Sequence, residues 1–213
     1  MHFIDPKLDD YVVAHSQEEP KLLQQLTRHT HLKTLQPRMS SGAYQGRVLS
    51  VLSKIINPKH ILEIGTFTGY AALSLAEGLQ KDGTLDTIDC NEEILEHALA
   101  FFEKSPYQQQ ITTHLGNALD IIPTLDKKFD LVFIDADKPN YVNYFHAIID
   151  KMASGGIILS DNVLWSGKVI EPVKQGDLST EVLLQYNQLI ATDPRVETVM
   201  LPIRDGLTVS RII

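Results

Sequence analysis

The sequence contains one cysteine, Cys90, so no intramolecular disulfide can form and a cysteine-based metal site is not expected. It has no apolar run near the roughly 20 residues a membrane-spanning helix needs. Its opening stretch, MHFIDPKLDDYVV, carries acids where a secretory signal is basic and then apolar. These absences predict a protein of the reducing cytoplasm that crosses no membrane. A basic excess is also missing: the formal charge is -8 and the isoelectric point about 5.4. Nucleic-acid binders carry a basic face that neutralises phosphates, so nucleic acid is not an expected partner. Internal repeats and low-complexity tracts are absent. So is the Gly-x-Gly-x-x-Gly pattern of a dinucleotide site. Phe67 stands where the second glycine would admit a pyrophosphate, which counts against a nicotinamide-dependent oxidoreductase.

What is present fits one domain of 213 residues with a viable core. Residues 1–57 read as a helical extension. Leu8, Val12 and Val13 mark one amphipathic stretch, and Leu22, Leu23 and Leu26 after Pro20 mark another. A break at residues 36–42 precedes a third helix, with Val48, Leu49, Val51, Leu52, Ile55 and Ile56, which Asn57-Pro58 ends. Its apolar face suits either domain core or a partner subunit.

From residue 58 onward the pattern becomes an α/β core. Short apolar runs at His60–Ile64, 84–88, Ile111–Leu115, 131–134 and 156–160 alternate with helix-like stretches at 70–79, 92–103, 118–125 and 141–152. Such alternation predicts a mostly parallel sheet with helices on both faces. A further helix near residues 180–190 leads into two strands, Val196–Leu201 and Leu207–Ile212. The five residues between them allow only a hairpin, so the last strand must run antiparallel to its neighbour.

The segment Ile61-Leu62-Glu63-Ile64-Gly65-Thr66-Phe67-Thr68-Gly69-Tyr70 reads as strand, glycine turn and helix start. Gly65 and Gly69 let the backbone turn sharply and approach a ligand. The helix start offers free N–H groups to a carboxylate, and Glu63 can face an amino group. Asp89 ends the second run some twenty-odd residues after Gly65, where a carboxylate can accept hydrogen bonds from both hydroxyls of a ribose. Capping the following helix is the other reading of Asp89. The fourth and fifth runs end in Asp135-Ala136-Asp137-Lys138 and Asp161-Asn162. Ligands of open α/β sheets sit at such strand ends, so these residues should converge. Asp135, Asp161 and Asn162 offer only hard oxygen atoms, a set that suits Mg²⁺ or Ca²⁺ and leaves positions open for water or substrate. The histidines give no rival cluster, because His29 and His31 point apart on a helix.

From about Pro37 to the C-terminus the sequence resembles the cation-dependent O-methyltransferases, which include catechol and caffeoyl-CoA enzymes. Four motifs carry the resemblance: Leu-Glu-Ile-Gly-x-x-x-Gly-Tyr, Ile-Asp-x-Asn, Phe-Ile-Asp-Ala-Asp-Lys-x-x-Tyr and Asp-Asn-Val-Leu-Trp-x-Gly. It implies the class I S-adenosylmethionine (SAM) methyltransferase fold: a seven-stranded, mostly parallel sheet whose C-terminal hairpin brings in an antiparallel strand. It implies SAM as cofactor, with Met39, Ser41, Glu63, Gly65, Gly69, Tyr70, Asp89, Ala118, Asp135 and Asp137 around it. It implies a divalent cation, Mg²⁺, Mn²⁺ or Ca²⁺, on Asp135, Asp161 and Asn162, with Asp135 and Lys138 as catalytic residues and Lys138 as the base. The substrate implied is a small vicinal aromatic diol of catechol, caffeoyl or flavonoid type, and the assembly a homodimer.

Trp165 is expected to wall the aromatic substrate, with core packing as its alternative. Residues 168–179 are expected to form a mobile loop over the entrance. The chain departs from the family at Ala71, where a serine is common, and at Arg204, where relatives have glycine. At the substrate mouth Arg204 would favour an acidic or phosphorylated substrate. No counterpart is evident near Val199 for the glutamate that grips the second hydroxyl in animal enzymes, so regiospecificity stays open. Methylation of a hydroxylated uridine in tRNA and non-catalytic SAM binding are the other readings of the same resemblance.

Overall fold

The first three helices follow local rules of capping and burial. Asp5 accepts the Lys7 N–H at 2.8 Å and caps α1 (Pro6–Ala14), whose proline occupies the first turn, where no N–H is needed. Helix α2 (Lys21–Lys33) buries Leu23, Leu26 and Thr30, and α3 (Gly42–Ile56) ends at Asn57 in the left-handed conformation. The computed structural model describes residues 5–213; residues 1–4 of the expected extension lie outside the described residues.

The remaining elements alternate: β1 (His60–Ile64), α4 (Tyr70–Ala76), β2 (Thr84–Asp89), α5 (Glu92–Phe102), β3 (Ile111–Leu115), α6 (Ala118–Ile121), β4 (Phe129–Ile134), α7 (Tyr141–Ile149), β5 (Met152–Asp161), α8 (Leu178–Thr192), β6 (Val196–Leu201) and β7 (Leu207–Ile212). They build a seven-stranded sheet in the order β3-β2-β1-β4-β5-β7-β6. The first five strands pair in parallel, whereas β7 runs antiparallel to both β5 and β6. The expected fold is therefore present, with the second hairpin strand, not the first, lying against β5.

Period-two alternation explains why the central strands read as unbroken apolar runs. Ile61, Leu131, Phe133 and Leu159 face one core with Leu23, Leu49, Tyr70 and Phe102, while Leu62, Val132, Ile134 and Ile158 face the other with Phe145, Leu183 and Tyr186. Each such side chain removed from water contributes about 1.5–3 kcal/mol. The two layers fix the sheet, and the sheet fixes the height of its strand ends.

Several boundaries differ from expectation. Helix α4 stops at Ala76, where the chain tightens into a turn: the Gly78 and Leu79 N–H groups bond the Leu75 and Ala76 carbonyls, three residues back. Helix α6 stops at Ile121 and tightens into a 3-10 turn over Ile122–Thr124, where Pro123 has no N–H to continue the ladder. Strand β5 starts four residues early, at Met152, with an irregularity where it passes Phe129 and Leu131. Part of the expected entrance loop is regular: a kinked 3-10 segment spans Trp165–Ile170, and Lys168 pairs with Asp177 at 2.9 Å just before α8.

Candidate active site

Strand β1 lies where the strand order reverses: its successor β2 is on one side and β4 on the other. Helices leave in opposite directions there and open a crevice at the carboxyl ends of the strands. The crevice is a cleft of about 1570 Å³.

The glycine turn after β1 is required by close packing. At Gly65, whose φ is 100°, a Cβ would lie 2.1 Å from the Asp135 carbonyl oxygen. Gly69 caps α4 with φ 86°, and a Cβ there would strike the Phe102 ring at 2.6 Å. The backbone N–H of Phe67 donates to Asp89 Oδ2 at 2.8 Å, and Asn91 N–H donates to Oδ1 at 2.9 Å. Asp89 thus braces the turn, while Asn91 is the residue that caps α5.

Met39, Ser41, Gly65, Tyr70, Asp89, Ala118, Asp135, Asp137, Lys138, Asp161, Asn162, Trp165 and Arg204 all line this cleft. Glu63 and Gly69 do not; both lie beneath its floor. Glu63 is fully buried and accepts a short hydrogen bond from the Thr87 hydroxyl through Oε2, while Oε1 has no partner. Burial pushes its carboxyl well above the usual range, and the charges of Asp135 and Asp89 add to the rise. Tyr70 reaches the cleft at the head of α4, but its hydroxyl turns away to a short bond with Glu19.

At the tips of β4 and β5 the side chains are tightly engaged. Lys138 is buried, and its Nζ donates to Asp135 Oδ1 at 3.2 Å, to the Ala136 carbonyl at 3.0 Å and to Tyr141 Oη at 2.6 Å. Lys138 opens a 3-10 turn, and Asp135 precedes that turn instead of sharing it. Asp161 is buried, with Oδ1 accepting its neighbour's N–H from Asn162 at 2.8 Å and Oδ2 accepting from Gln45 Nε2 at 2.7 Å. Burial and the Asp135 charge push the Asp161 carboxyl well above the ordinary range, against the Gln45 hydrogen bond and the Lys138 and Arg204 charges. Asp137 does not cap through its side chain; it accepts from the Tyr144 hydroxyl and, at 2.6 Å, from Asn140.

Trp165 lines the cleft and also packs against the core. Arg204 is at the mouth, but its Nη1 donates to Gln45 Oε1 at 2.7 Å and to the Ser41 carbonyl, so part of the guanidinium is committed to the protein. His31 points away to the Thr27 carbonyl, and His29 meets His97 of α5 at 3.1 Å. The sequence reading assigned no role to Gln45, Tyr141 or Tyr144. Tyr141 had a signal, as the last residue of the Asp-Ala-Asp-Lys-x-x-Tyr motif, whereas Gln45 showed only as a polar residue on an amphipathic helix.

A model of the O-methyltransferase family matches residues 13–213. The chain belongs to the O-methyltransferase family. Caffeoyl-CoA O-methyltransferase 5 of Nicotiana tabacum is 38% identical over 204 residues, covering 91% of this chain and 85% of the relative. Caffeoyl-CoA O-methyltransferase 2 of Eucalyptus globulus is 39% identical over 184 residues, covering 81% of this chain and 74% of its own. Among solved structures, the O-methyltransferase TomG of Streptomyces achromogenes, in complex with SAM, superposes with a TM-score of 0.87 at 29% identity, covering 97% and 96% of the two chains. The O-methyltransferase from Bacillus cereus, in complex with SAH, gives 0.89 at 28% identity, covering 97% of each.

As a SAM-dependent O-methyltransferase, the chain must hold a cationic amino acid and a nucleoside together. The β1 turn fits that demand: the Asp89 carboxylate, oriented by the Phe67 and Asn91 N–H groups, faces the same cleft as the Gly65 turn. The donor set at β4 and β5 also fits a hard cation. Two carboxylates that disfavour each other's charge and one amide share the cleft, and among the described residues no group of three or more His, Cys, Asp or Glu assembles.

Proposed function

We propose that this O-methyltransferase transfers the SAM methyl group to one hydroxyl of a small vicinal aromatic diol, of catechol, caffeoyl or flavonoid type, in a divalent-cation-dependent reaction. One observation carries the reading: Asp135, Asp161 and Asn162, three hard-oxygen side chains, open into the same cleft as Asp89 and the Gly65 turn. Bound there, Mg²⁺, Mn²⁺ or Ca²⁺ would supply Lewis acidity that draws a phenol toward its oxyanion and holds the adjacent oxygen. SAM supplies an electrophilic sulfonium methyl.

The chain's own residues do the positioning. Asp89 receives the ribose hydroxyls, and Glu63 supports the site from beneath through its hydrogen bond with Thr87. Met39, Ser41, Gly65, Tyr70, Ala118, Asp135 and Asp137 complete the cofactor site, with Gly69 shaping the turn beneath them. Trp165 forms an apolar wall against the aromatic ring, and Arg204 stands at the mouth toward an acidic tail. Lys138 is the candidate acceptor of the hydroxyl proton. To serve, its ammonium must first release one of three protons now donated to Asp135, Ala136 and Tyr141. Two looser inferences accompany this reading. Val51 and Ile55, exposed on α3, support a homodimer, and the lone Cys90 suits the cytoplasm. No helix among the described residues is long and apolar enough to cross a membrane.

The test is methyl transfer from SAM to a panel of catechols, mono-phenols and a hydroxylated uridine RNA, with Mg²⁺ or with EDTA. Catechols should react only with the cation, and Asp161→Ala should abolish the stimulation while SAM binding persists. Transfer indifferent to EDTA, or confined to the RNA, would overturn the proposal.

A further inference from the structure

Gln45 is 1% exposed, and both ends of its amide are engaged by groups from distant parts of the chain. Nε2 donates to Asp161 Oδ2 at 2.7 Å, and Oε1 accepts from Arg204 Nη1 at 2.7 Å. A guanidinium can only donate, and a carboxylate can only accept. The amide therefore has one possible orientation, fixed from both ends. Gln45 does not line the cleft, so whatever it contributes there acts through Asp161.

We propose that Gln45 is the positioning residue of the Asp161 carboxylate and that Arg204 locks it, so that α3 and the β6–β7 tip together set the site's affinity for a divalent cation. The inference rests on the cation reading above. With Oδ2 held by Gln45 and Oδ1 held by the Asn162 N–H at 2.8 Å, both oxygens of the carboxylate are oriented, and each keeps a lone pair for a cation. Partners of this kind orient ligands, and their loss weakens metal binding roughly ten- to hundredfold. Arg204 has the geometry of a lock. It adopts the left-handed conformation, with φ 50°, in the short link between β6 and β7, and the same Nη1 also donates to the Ser41 carbonyl ahead of α3. Three chain segments meet through one buried amide.

The test uses the full chain and Mn²⁺ alone, with free Mn²⁺ followed by its paramagnetic resonance signal and SAM affinity followed separately by calorimetry. Gln45→Leu should weaken Mn²⁺ binding about ten- to hundredfold and leave SAM affinity unchanged. Arg204→Lys, which keeps the charge that acts on Asp161 but not the planar fork shared by Gln45 and Ser41, should weaken Mn²⁺ in the same direction, and the double variant should bind no worse than Gln45→Leu. If Gln45→Leu fails to fold, Arg204→Lys, at an exposed position, decides alone. Unchanged Mn²⁺ affinity in the variants, or SAM affinity that falls in step with it, would overturn the proposal. A wild-type protein that binds no Mn²⁺ would instead remove the cation reading itself, and this inference with it.

Discussion

Among single residues, Tyr141 has the most to hold. Its side chain is fully buried, its hydroxyl accepts from Lys138 Nζ at 2.6 Å, and its one proton goes toward the Asp161 carbonyl at 2.9 Å, with the Ile134 carbonyl at 3.3 Å. The tips of β4 and β5 are thus tied by one phenol, which also supplies the third acceptor of the Lys138 ammonium. Burial raises the phenol well above its usual range, so it remains a neutral donor at all working pH. Tyr141→Phe keeps the ring and its packing but removes both bonds. It should cost about 1–3 kcal/mol of stability, the penalty for an unsatisfied buried partner, seen as a lower urea midpoint. In methyl transfer, kcat should fall while KM for SAM stays, because Lys138 then loses a fixed orientation that the cofactor does not share. An unaltered kcat would show that Lys138 needs no such alignment.

Helix α3 shows what an element can hide from its own sequence. Its apolar residues Val48, Leu49, Val51, Leu52, Ile55 and Ile56 suit either the core or a partner, and the structure divides them: Leu49 is buried and Val48, Leu52 and Ile56 pack against the core, beside the buried Gln45, Arg47, Ser50 and Ser53. For Arg47 and Ser50 the reason is Glu77, the residue that follows α4. Arg47 donates to that carboxylate through both Nη atoms at 3.0 and 2.6 Å, and Ser50 and Lys54 add bonds of 2.7 Å each. Burial opposes ionisation of Glu77, but these hydrogen bonds more than offset it and hold the carboxyl at about 2. A folded value depressed below the ordinary 4.5 means the stabilisation is present in full above pH 4.5 and is lost as pH falls toward 2. Glu77→Ala should cost about 3–5 kcal/mol at pH 7, because Arg47 is left nearly buried and unpaired. The gap between the wild type and Glu77→Gln should narrow as urea titrations move from pH 5 to pH 3; a constant gap would remove the ion pair from the acid response. The strands were legible because burial on both faces leaves unbroken apolar runs. Asp135, Asp161 and Asn162 were legible because strand ends are local. Gln45 and Glu77 were not, since their burial depends on partners across the fold and leaves no periodic trace.

For the molecule as a whole, the divided face of α3 has an outward consequence. With polar groups facing α4, the side chains of Val51 and Ile55 are left 52% and 74% exposed, flanked by the half-buried Val48 and Leu52. Positions 48, 51, 52 and 55 follow the i, i+3, i+4, i+7 spacing of a single helical stripe. An apolar stripe of that kind is a common mark of an association surface. Helix α1 adds Leu8, Tyr11 and Val13, all exposed, and buries no residue of its own. A stable homodimer removes roughly 800 Å² from each partner, an area that one helical stripe cannot supply alone but two such helices can begin to. The proposed homodimer should therefore appear by light scattering at micromolar concentration. The double variant Val51→Glu, Ile55→Glu should shift it to monomer, since like charges would meet across a twofold axis where the same stripe faces itself. SAM affinity should survive, because neither side chain lines the cleft. A wild-type protein that is monomeric, or a variant that still dimerises, would place the contact elsewhere and leave the stripe as ordinary surface.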